Sequence, residues 1–356
     1  ADNAIWLNNT SGFWATSNYY GTLNNTAQRV NSRNAVMQRV DTMLWRPLTA
    51  TARLKGNPAK GRLFDYKFTR ADRDVYRKIA LTPGGNQAVT DMAIELINQL
   101  PVDPTKQGMV NVAYTVAPYK YAFGDGEAES TDAYLRLDAQ IGRLIDAVEK
   151  YCGKENAVIW LTSTGYYDAV ANEDKRFRIP GGEFSLRRAK SLLNSYLVAR
   201  HGNGEYISSI RGGNLYLDHK SIEARNLDPN SIADEARQFL AQMSGVEQTF
   251  TRAEILSPTS PETVALNVGY DPKYGGDVLI RLSPGWSIVD DENGSTQRNK
   301  PMRQMPVMTP AFIMAPGVVN NKVNATVDAT ALAPTITDIL RIRSPNGARS
   351  RAIPVR

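Results

Sequence analysis

The stretch AYLRLDAQIGRLIDAVEKYCGKENAVIWLTS, residues 133–163, decides the fold class. In its first part, apolar side chains recur at steps of three and four residues, at Tyr134, Leu137, Ile141, Leu144, Ile145 and Val148. This spacing predicts a helix over 129–150 with one apolar face. The run AVIW at 157–160 is continuously apolar, which is typical of a buried strand, here predicted over 156–164.

A second apolar run, GMVNVAYTV at 108–116, precedes this helix and also has the composition of a buried strand. A strand, a helix and a second strand in succession form a βαβ unit, which requires a parallel sheet. We therefore expect 108–116 and 156–164 to be adjacent, or nearly so, in one sheet.

The rest of the chain continues the alternation of helices and strands. Helices are predicted at 84–99, 184–200, 230–243 and 329–340, and strands at 277–282 and 311–315. The sequence contains no internal repeat and no linker rich in proline and serine. It therefore predicts a single continuous α/β domain over residues 1–356.

Composition excludes several classes of protein. The chain has 356 residues, 42% of them hydrophobic, yet no apolar run reaches the roughly 18 to 20 residues of a membrane span. Its net charge of +6 is spread along the sequence, with no nucleic-acid-binding module. The single cysteine, Cys152, excludes an internal disulfide and a thiolate metal cluster, and we expect it to be a small buried apolar residue.

The chain starts at Ala1, without an initiator methionine, and its first ten residues lack the pattern of a signal peptide. We expect either that a targeting segment was removed or that these residues begin partway through a longer protein.

Five segments in this order resemble the alkaline phosphatase superfamily. They are TPGGNQAVTDMA (82–93), the stretch 133–163, NLYLDHKSIEARNLD (214–228), GGDVLIRLSPGW (275–286) and DATALAPTITDILRIRSPNGA (328–348). The similarity is to the branch of monomeric bacterial phosphatases related to nucleotide pyrophosphatases/phosphodiesterases.

The resemblance implies a mostly parallel sheet with helices on both faces and a smaller cap region formed by about 1–80 and 185–275. It covers the C-terminal two-thirds of the family fold. The family's first strand, with a metal-binding aspartate, and its threonine or serine nucleophile precede the matched part.

The resemblance also implies where metal ligands belong. The family's D-x-x-x-H pair falls on Ala117 and Tyr121 when AFG (122–124) is used as the anchor, and its Asp-His pair falls on Thr164 and Gly165 of LTSTGYY. A further family histidine best matches Asn293. These replacements predict a degenerate site that binds no metal and needs no other cofactor, because hydroxyl and amide oxygens bind transition metals weakly.

The remaining metal-binding residue types do not rescue this site. The chain has two histidines, His201 and His219, both away from the matched ligand positions and expected to be surface or capping residues. Asp132 and Asp138, on the predicted helix 129–150, are expected to be solvated or capping.

Aromatic side chains surround the former ligand positions. Tyr119, Lys120, Tyr121, Tyr166 and Tyr167 lie at or next to them. Two interpretations remain open: the rings fill the space of the lost metals, or they line a pocket for a sugar, a nucleotide or a protein partner.

Three function classes follow. The first is a catalytically inactive phosphatase-fold protein that serves as a structural or interaction subunit, with protein partners in a bacterial cell-envelope complex. The second is a module that binds a phosphorylated or glycosidic ligand. The third is a metal-dependent phosphatase or phosphodiesterase completed by an N-terminal segment outside this sequence. The family resemblance implies an extracytoplasmic location, in the periplasm or on the cell surface.

Overall fold

A computed structural model describes residues 3–33, 35–48, 64–72, 74–100, 108–116, 126–163, 166–167, 181–283, 285–290, 297–298, 305–306, 308–348 and 350–355. The chain forms two compact units. Unit 1 comprises Ala1–Thr162 and Pro310–Arg356, and unit 2 comprises Ser163–Thr309.

The helices and strands alternate along the chain. The helices are α1 (Asn25–Ser32), α2 (Ala35–Val40), α3 (Val75–Ala80), α4 (Pro83–Ile97), α5 (Gly126–Cys152), α6 (Leu186–His201), α7 (His219–Glu223), α8 (Pro229–Ala241), α9 (Arg252–Leu256), α10 (Pro261–Gly269) and α11 (Leu332–Ile339). The strands are β1 (Trp6–Leu7), β2 (Trp14–Ala15), β3 (Leu44–Trp45), β4 (Tyr66–Lys67), β5 (Ile159–Leu161), β6 (Tyr166–Tyr167), β7 (Gly182–Ser185), β8 (Ile207–Arg211), β9 (Asn214–Leu217), β10 (Val246–Thr251), β11 (Val278–Leu282), β12 (Trp286–Asp290), β13 (Gln297–Arg298), β14 (Met305–Pro306) and β15 (Phe312–Met314).

The predicted helices are confirmed, with ends that differ by a few residues. The helix expected at 84–99 is α4, where Thr82 precedes the first turn in an extended conformation and Pro83 occupies a position that needs no N–H donor. The helices expected at 129–150, 184–200, 230–243 and 329–340 are α5, α6, α8 and α11. No helix in the described ranges is both long and apolar enough to cross a membrane.

Helices α4 and α5 pack against each other in unit 1. The predicted apolar face of α5 is half-buried, and Tyr134 at its start is exposed. The buried positions of that first part are instead Glu129, Asp132 and Ala133, because they face a cluster that includes Trp45 and Phe68.

The strand prediction for 108–116 is wrong. Its residues alternate between half-buried and exposed from Asn111 to Val116, as in a strand, but none pairs with another described strand. The backbone of Thr115 instead bonds twice to the side chain of Asn86 on α4, with both distances 2.9 Å. The predicted adjacency of 108–116 to 156–164 is therefore not observed among the described residues.

The strand predicted at 156–164 is shorter than expected. It is confined to β5, which pairs antiparallel with β15 in the register Leu161↔Phe312. Asn156 belongs to a short 3₁₀ turn instead. The strand expected at 311–315 is β15, and the one at 277–282 is β11.

Unit 2 contains the larger described sheet, an antiparallel one with the order β10-β11-β9-β8. Helices α6 and α8 cover one face, and their apolar side chains form a core with those of the strands, including Leu193, Leu240, Leu215 and Ile280. A second sheet has the order β13-β12-β7. Its pair β7–β12 is the parallel pair among the described strands; the others are antiparallel.

Candidate functional site

Most positions selected in the sequence lie outside the described residues. They are Ala117, Tyr119, Lys120, Tyr121, Thr164, Gly165 and Asn293. For Tyr166 and Tyr167 the structure describes the backbone, which forms β6 and pairs with β14. The degenerate metal site and the aromatic pocket therefore stay predictions.

Strand β5 leads to the first part of the predicted site. Ile159 and Trp160 are half-buried, whereas Leu161 is exposed beside its cross-strand neighbour Phe312, which is 60% exposed. Exposed apolar side chains are common on protein surfaces, so these two residues alone do not define a site.

The two histidines each bind a carboxylate of unit 2. His201 Nε2 lies 3.0 Å from Glu235 Oε2, and Arg200 Nε lies 3.0 Å from the same oxygen. His219 Nε2 lies 2.8 Å from Asp277 Oδ1. Neither histidine joins a group of three or more metal-ligating side chains within the described part of the chain.

His219 and Asp277 line a cavity of about 430 Å³ in unit 2, between the starts of α8 and α9. Asp277 is buried, and its second carboxylate oxygen accepts a hydrogen bond from the backbone N–H of Leu217 at 2.8 Å. A carboxylate fixed in this way leaves the other ring nitrogen of His219 directed away from Asp277. The arrangement resembles a histidine–carboxylate dyad. The main contact of Asp277 is structural, because it links the start of β11 to Leu217 in β9.

This pair could not be predicted from the sequence. His219 and Asp277 lie 58 positions apart, and no local spacing connects them. The antiparallel pairing of β9 with β11, in the register Val278↔Leu215, is what brings them together.

Unit 1 holds a second carboxylate cluster that the sequence interpretation missed. Asp132, expected to be solvated or capping, is buried and accepts three hydrogen bonds. The donors are Trp45 Nε1 at 2.7 Å, the Leu48 N–H at 2.7 Å and Arg136 Nε at 2.8 Å. Asp132 therefore ties α5 to the segment around β3, because a buried carboxylate is stable when its lone pairs are satisfied.

Glu129 lies one helical turn before Asp132 and is also buried. One of its carboxylate oxygens accepts a hydrogen bond from the hydroxyl of Tyr66. The other oxygen has no hydrogen-bond partner among the described residues. Tyr66 also packs on Phe64 and Trp45, so this carboxylate borders an aromatic cluster.

Cys152 lies at the end of α5 and is half-buried, less than the full burial that was expected. Its thiol donates a weak hydrogen bond to the carbonyl of Val148, with Sγ and O 3.3 Å apart. Desolvation raises the pKa of the thiol, which disfavours the reactive thiolate.

No protein-family profile matches the chain. Curated bacterial proteins are nevertheless similar to nearly all of it. A protein named calcium-transporting ATPase from Myroides odoratus is 25% identical, over 98% of this chain and 67% of its own length. Alkaline phosphatase PafA from Elizabethkingia meningoseptica is 25% identical over the same shares of the two chains. Alkaline phosphatase PhoV from Synechococcus elongatus is 25% identical, over 99% of this chain and 66% of its own length.

These matches mean that the chain spans about two thirds of the length of its curated relatives. The crystal structure of PafA is similar with a TM-score of 0.73 and 23% identity, over 98% of this chain and 69% of that one. This similarity confirms the alkaline-phosphatase-like α/β fold. The similarity to curated alkaline phosphatases along nearly the whole chain supports membership of the alkaline phosphatase superfamily.

Proposed function

We propose that this chain is a phosphatase-fold protein without hydrolytic activity of its own, and that it serves as a structural or interaction subunit of a bacterial cell-envelope complex. The observation that carries the proposal is that both histidines of the sequence are hydrogen-bonded to carboxylates. His201 bonds to Glu235 and His219 to Asp277, and neither histidine falls on a sequence position that matches a family ligand. No other histidine exists in the sequence.

The chemistry of the family's reaction explains why this matters. Two metal ions activate a nucleophile and stabilise the leaving oxygen, so their ligands must bind divalent cations firmly. Ala117, Tyr121, Thr164, Gly165 and Asn293 offer no imidazole, thiolate or carboxylate at the matched positions. Because ligands are missing for both metal ions, no partly intact site remains that a change of metal or of neighbouring residues could restore.

Exposed apolar side chains in unit 1 support the interaction role. They are Met109, Val110, Tyr134, Leu135, Leu161 and Phe312. Met109, which is 71% exposed, also belongs to the extended segment 108–116, whose backbone from Gly108 to Ala113 has no hydrogen-bond partner among the described residues. Extended backbone with free donors and acceptors can pair with another polypeptide strand.

An extracytoplasmic location is part of the proposal. The family resemblance, together with the similarity to bacterial alkaline phosphatases, supports it.

Metal analysis together with activity assays tests the catalytic part. Protein purified from its native source should contain no stoichiometric zinc and should not hydrolyse an aryl phosphate, a phosphodiester or an aryl sulfate. The informative variant is Thr164→Ala, and Thr10→Ala at an exposed position of unit 1 is the matched control. Bound metal with turnover that the first change abolishes and the second preserves would show an enzyme completed by unconventional ligands.

The interaction part needs a separate measurement. The protein in native envelope extracts should migrate in an assembly of fixed stoichiometry, measured by size-exclusion chromatography with light scattering. A protein that migrates solely as a monomer in such extracts would contradict this part and leave the absence of hydrolysis standing.

A further inference from the structure

The end of unit 1 carries an arginine patch, defined as Arg341, Arg343 and Arg351. We propose that this patch binds the phosphate head groups of an anionic phospholipid surface. The sequence from Ile339 to Arg356 contains five arginines, no lysine and no acidic residue. This inference does not depend on whether the chain has lost phosphatase activity.

The patch arginines are available to a ligand. All three are exposed, and their side chains have no ion pair or hydrogen bond within the described part of the protein. Most of the other described arginines form ion pairs with aspartate or glutamate. They are Arg29, Arg39, Arg46, Arg70, Arg77, Arg136, Arg143, Arg200, Arg237 and Arg281. The patch therefore concentrates cationic groups that the fold does not use.

The segment after α11 is held back against that helix by three hydrogen bonds. Ser344 bonds to Thr337 at 3.2 Å, Ser350 to Thr330 at 2.6 Å, and the Ile353 N–H to Thr335 Oγ1 at 2.8 Å. Thr330 and Thr337 are seven residues apart along a 3₁₀ turn and α11, so they lie roughly 10 Å from each other at the rise of a helix. These bonds anchor the segment next to Arg343 and next to Arg351.

Arg341 occupies a backbone position that normally favours glycine. Its φ is 55°, and the N–H groups of Arg341 and Ile342 bond to the carbonyls of Asp338 and Thr337. This is a Schellman motif, in which a residue with a side chain is less stable than glycine. A non-glycine residue at such a position is a reason to look for a role of its side chain, which here is a cation.

The apolar neighbour of two of these arginines favours a lipid surface. Ile342, between Arg341 and Arg343, is 48% exposed. Cationic side chains that flank an exposed aliphatic one bind an interface by combining phosphate contacts with shallow burial of the apolar group. The planar fork of arginine also matches phosphate oxygens better than the point charge of lysine does.

Vesicle binding tests the proposal. The full chain should sediment with vesicles of equal parts phosphatidylglycerol and phosphatidylcholine, and not with vesicles of phosphatidylcholine alone. The triple change Arg341→Gln, Arg343→Gln and Arg351→Gln should weaken partitioning about 100-fold, since each basic residue near an anionic surface contributes roughly fivefold.

The matched control removes the same charge elsewhere. Arg33, Arg188 and Arg211 are also exposed, and their side chains form no ion pair or hydrogen bond in the described structure. Changing these three to glutamine should leave partitioning within severalfold of the unchanged protein. Ile342→Ser, which leaves the net charge at its original value, should weaken partitioning severalfold.

Three results would overturn the proposal. One is equal weakening by the patch and control triple variants, which would indicate a general charge effect. Another is equal binding to neutral vesicles. The third is tighter binding of duplex DNA or polyglutamate than of anionic vesicles at the same salt concentration, which would assign the patch to a different polyanion. Circular dichroism and thermal unfolding of each variant establish that it is folded before binding is compared.

Discussion

His219 and Asp277 are joined by a hydrogen bond of 2.8 Å between Nε2 and Oδ1, and the second oxygen of Asp277 accepts from the Leu217 N–H at the same distance. The two bonds differ in their surroundings. Asp277 and Leu217 are buried, whereas the side chain of His219 is 48% exposed. The carboxylate is therefore the structural member of the pair.

We expect Asp277→Ala to lower the free energy of unfolding by about 1 to 3 kcal/mol, because it leaves the buried Leu217 N–H without an acceptor. His219→Ala should cost less than about 1 kcal/mol, since a hydrogen bond from a half-exposed side chain contributes little net stability. Urea unfolding of both variants measures the difference. Equal costs for the two changes would show that the histidine, and not the backbone contact, makes the pair stable.

A second prediction concerns Asp132 in unit 1. Asp132→Ala removes the acceptor for Trp45 Nε1, the Leu48 N–H and Arg136 Nε together. We expect a loss of about 2 to 4 kcal/mol in the free energy of unfolding, because the buried indole N–H of Trp45 loses its acceptor and the other two hydrogen bonds are lost with it.

Asp138→Ala on the same helix is the matched control. Asp138 is exposed, and such a surface change is expected to stay within about 0.5 kcal/mol. Urea unfolding followed by tryptophan fluorescence compares the two. If both variants unfold like the original protein, the bonds around Asp132 do not stabilise unit 1.

The helices could be predicted from the sequence because their signal is local. In α5 and α11, apolar residues three and four positions apart and the residues before the first turn are enough to place the element. The strand at 108–116 could not be, because a strand requires a neighbour. Its alternating exposure is present, but no strand among the described residues pairs with it.

The site was harder to predict for the same reason. Asp132 and Trp45 are separated by 87 positions, and His219 and Asp277 by 58, so the fold alone brings each pair together. A charged residue on a predicted helix, such as Asp132, is expected to be solvated when only the local sequence is considered. The hydrogen-bond donors that allow it to be buried come from segments distant in the sequence. The matched ligand positions came from family resemblance, which gives positions in the sequence and no geometry.

A third prediction concerns the single cysteine. Desolvation raises the pKa of Cys152, so its folded-state thiolate fraction at mildly alkaline pH should be lower than that of the unfolded chain. Alkylation by iodoacetamide should therefore be slow in the native protein and become fast in urea, with the native pH profile displaced to higher pH.

The same shift has a consequence for stability. A thiol whose folded pKa is raised contributes stability that is complete below the pKa of the unfolded chain, about 8.5, and is lost as the pH rises through the folded pKa. Cys152→Ala should abolish this part of the pH dependence. A native alkylation profile that coincides with that of the unfolded chain would contradict both expectations.

The last prediction compares two glycines whose replacement by alanine should act in opposite directions. Gly245 has φ +89°, and a Cβ at this position would clash with the indole ring of Trp286 at Cε3. Gly245→Ala should therefore cost about 2 to 4 kcal/mol, from backbone strain and from displacement of the indole.

Gly142 lies inside α5 with open space around it, so Gly142→Ala should stabilise the protein by about 0.5 to 1 kcal/mol through helix propensity. Native-state hydrogen exchange reports the two changes separately, at amides of β12 and of α5. A stabilising Gly245→Ala would mean that Trp286 does not pack over this glycine, and a destabilising Gly142→Ala would mean that another surface covers α5 at this point.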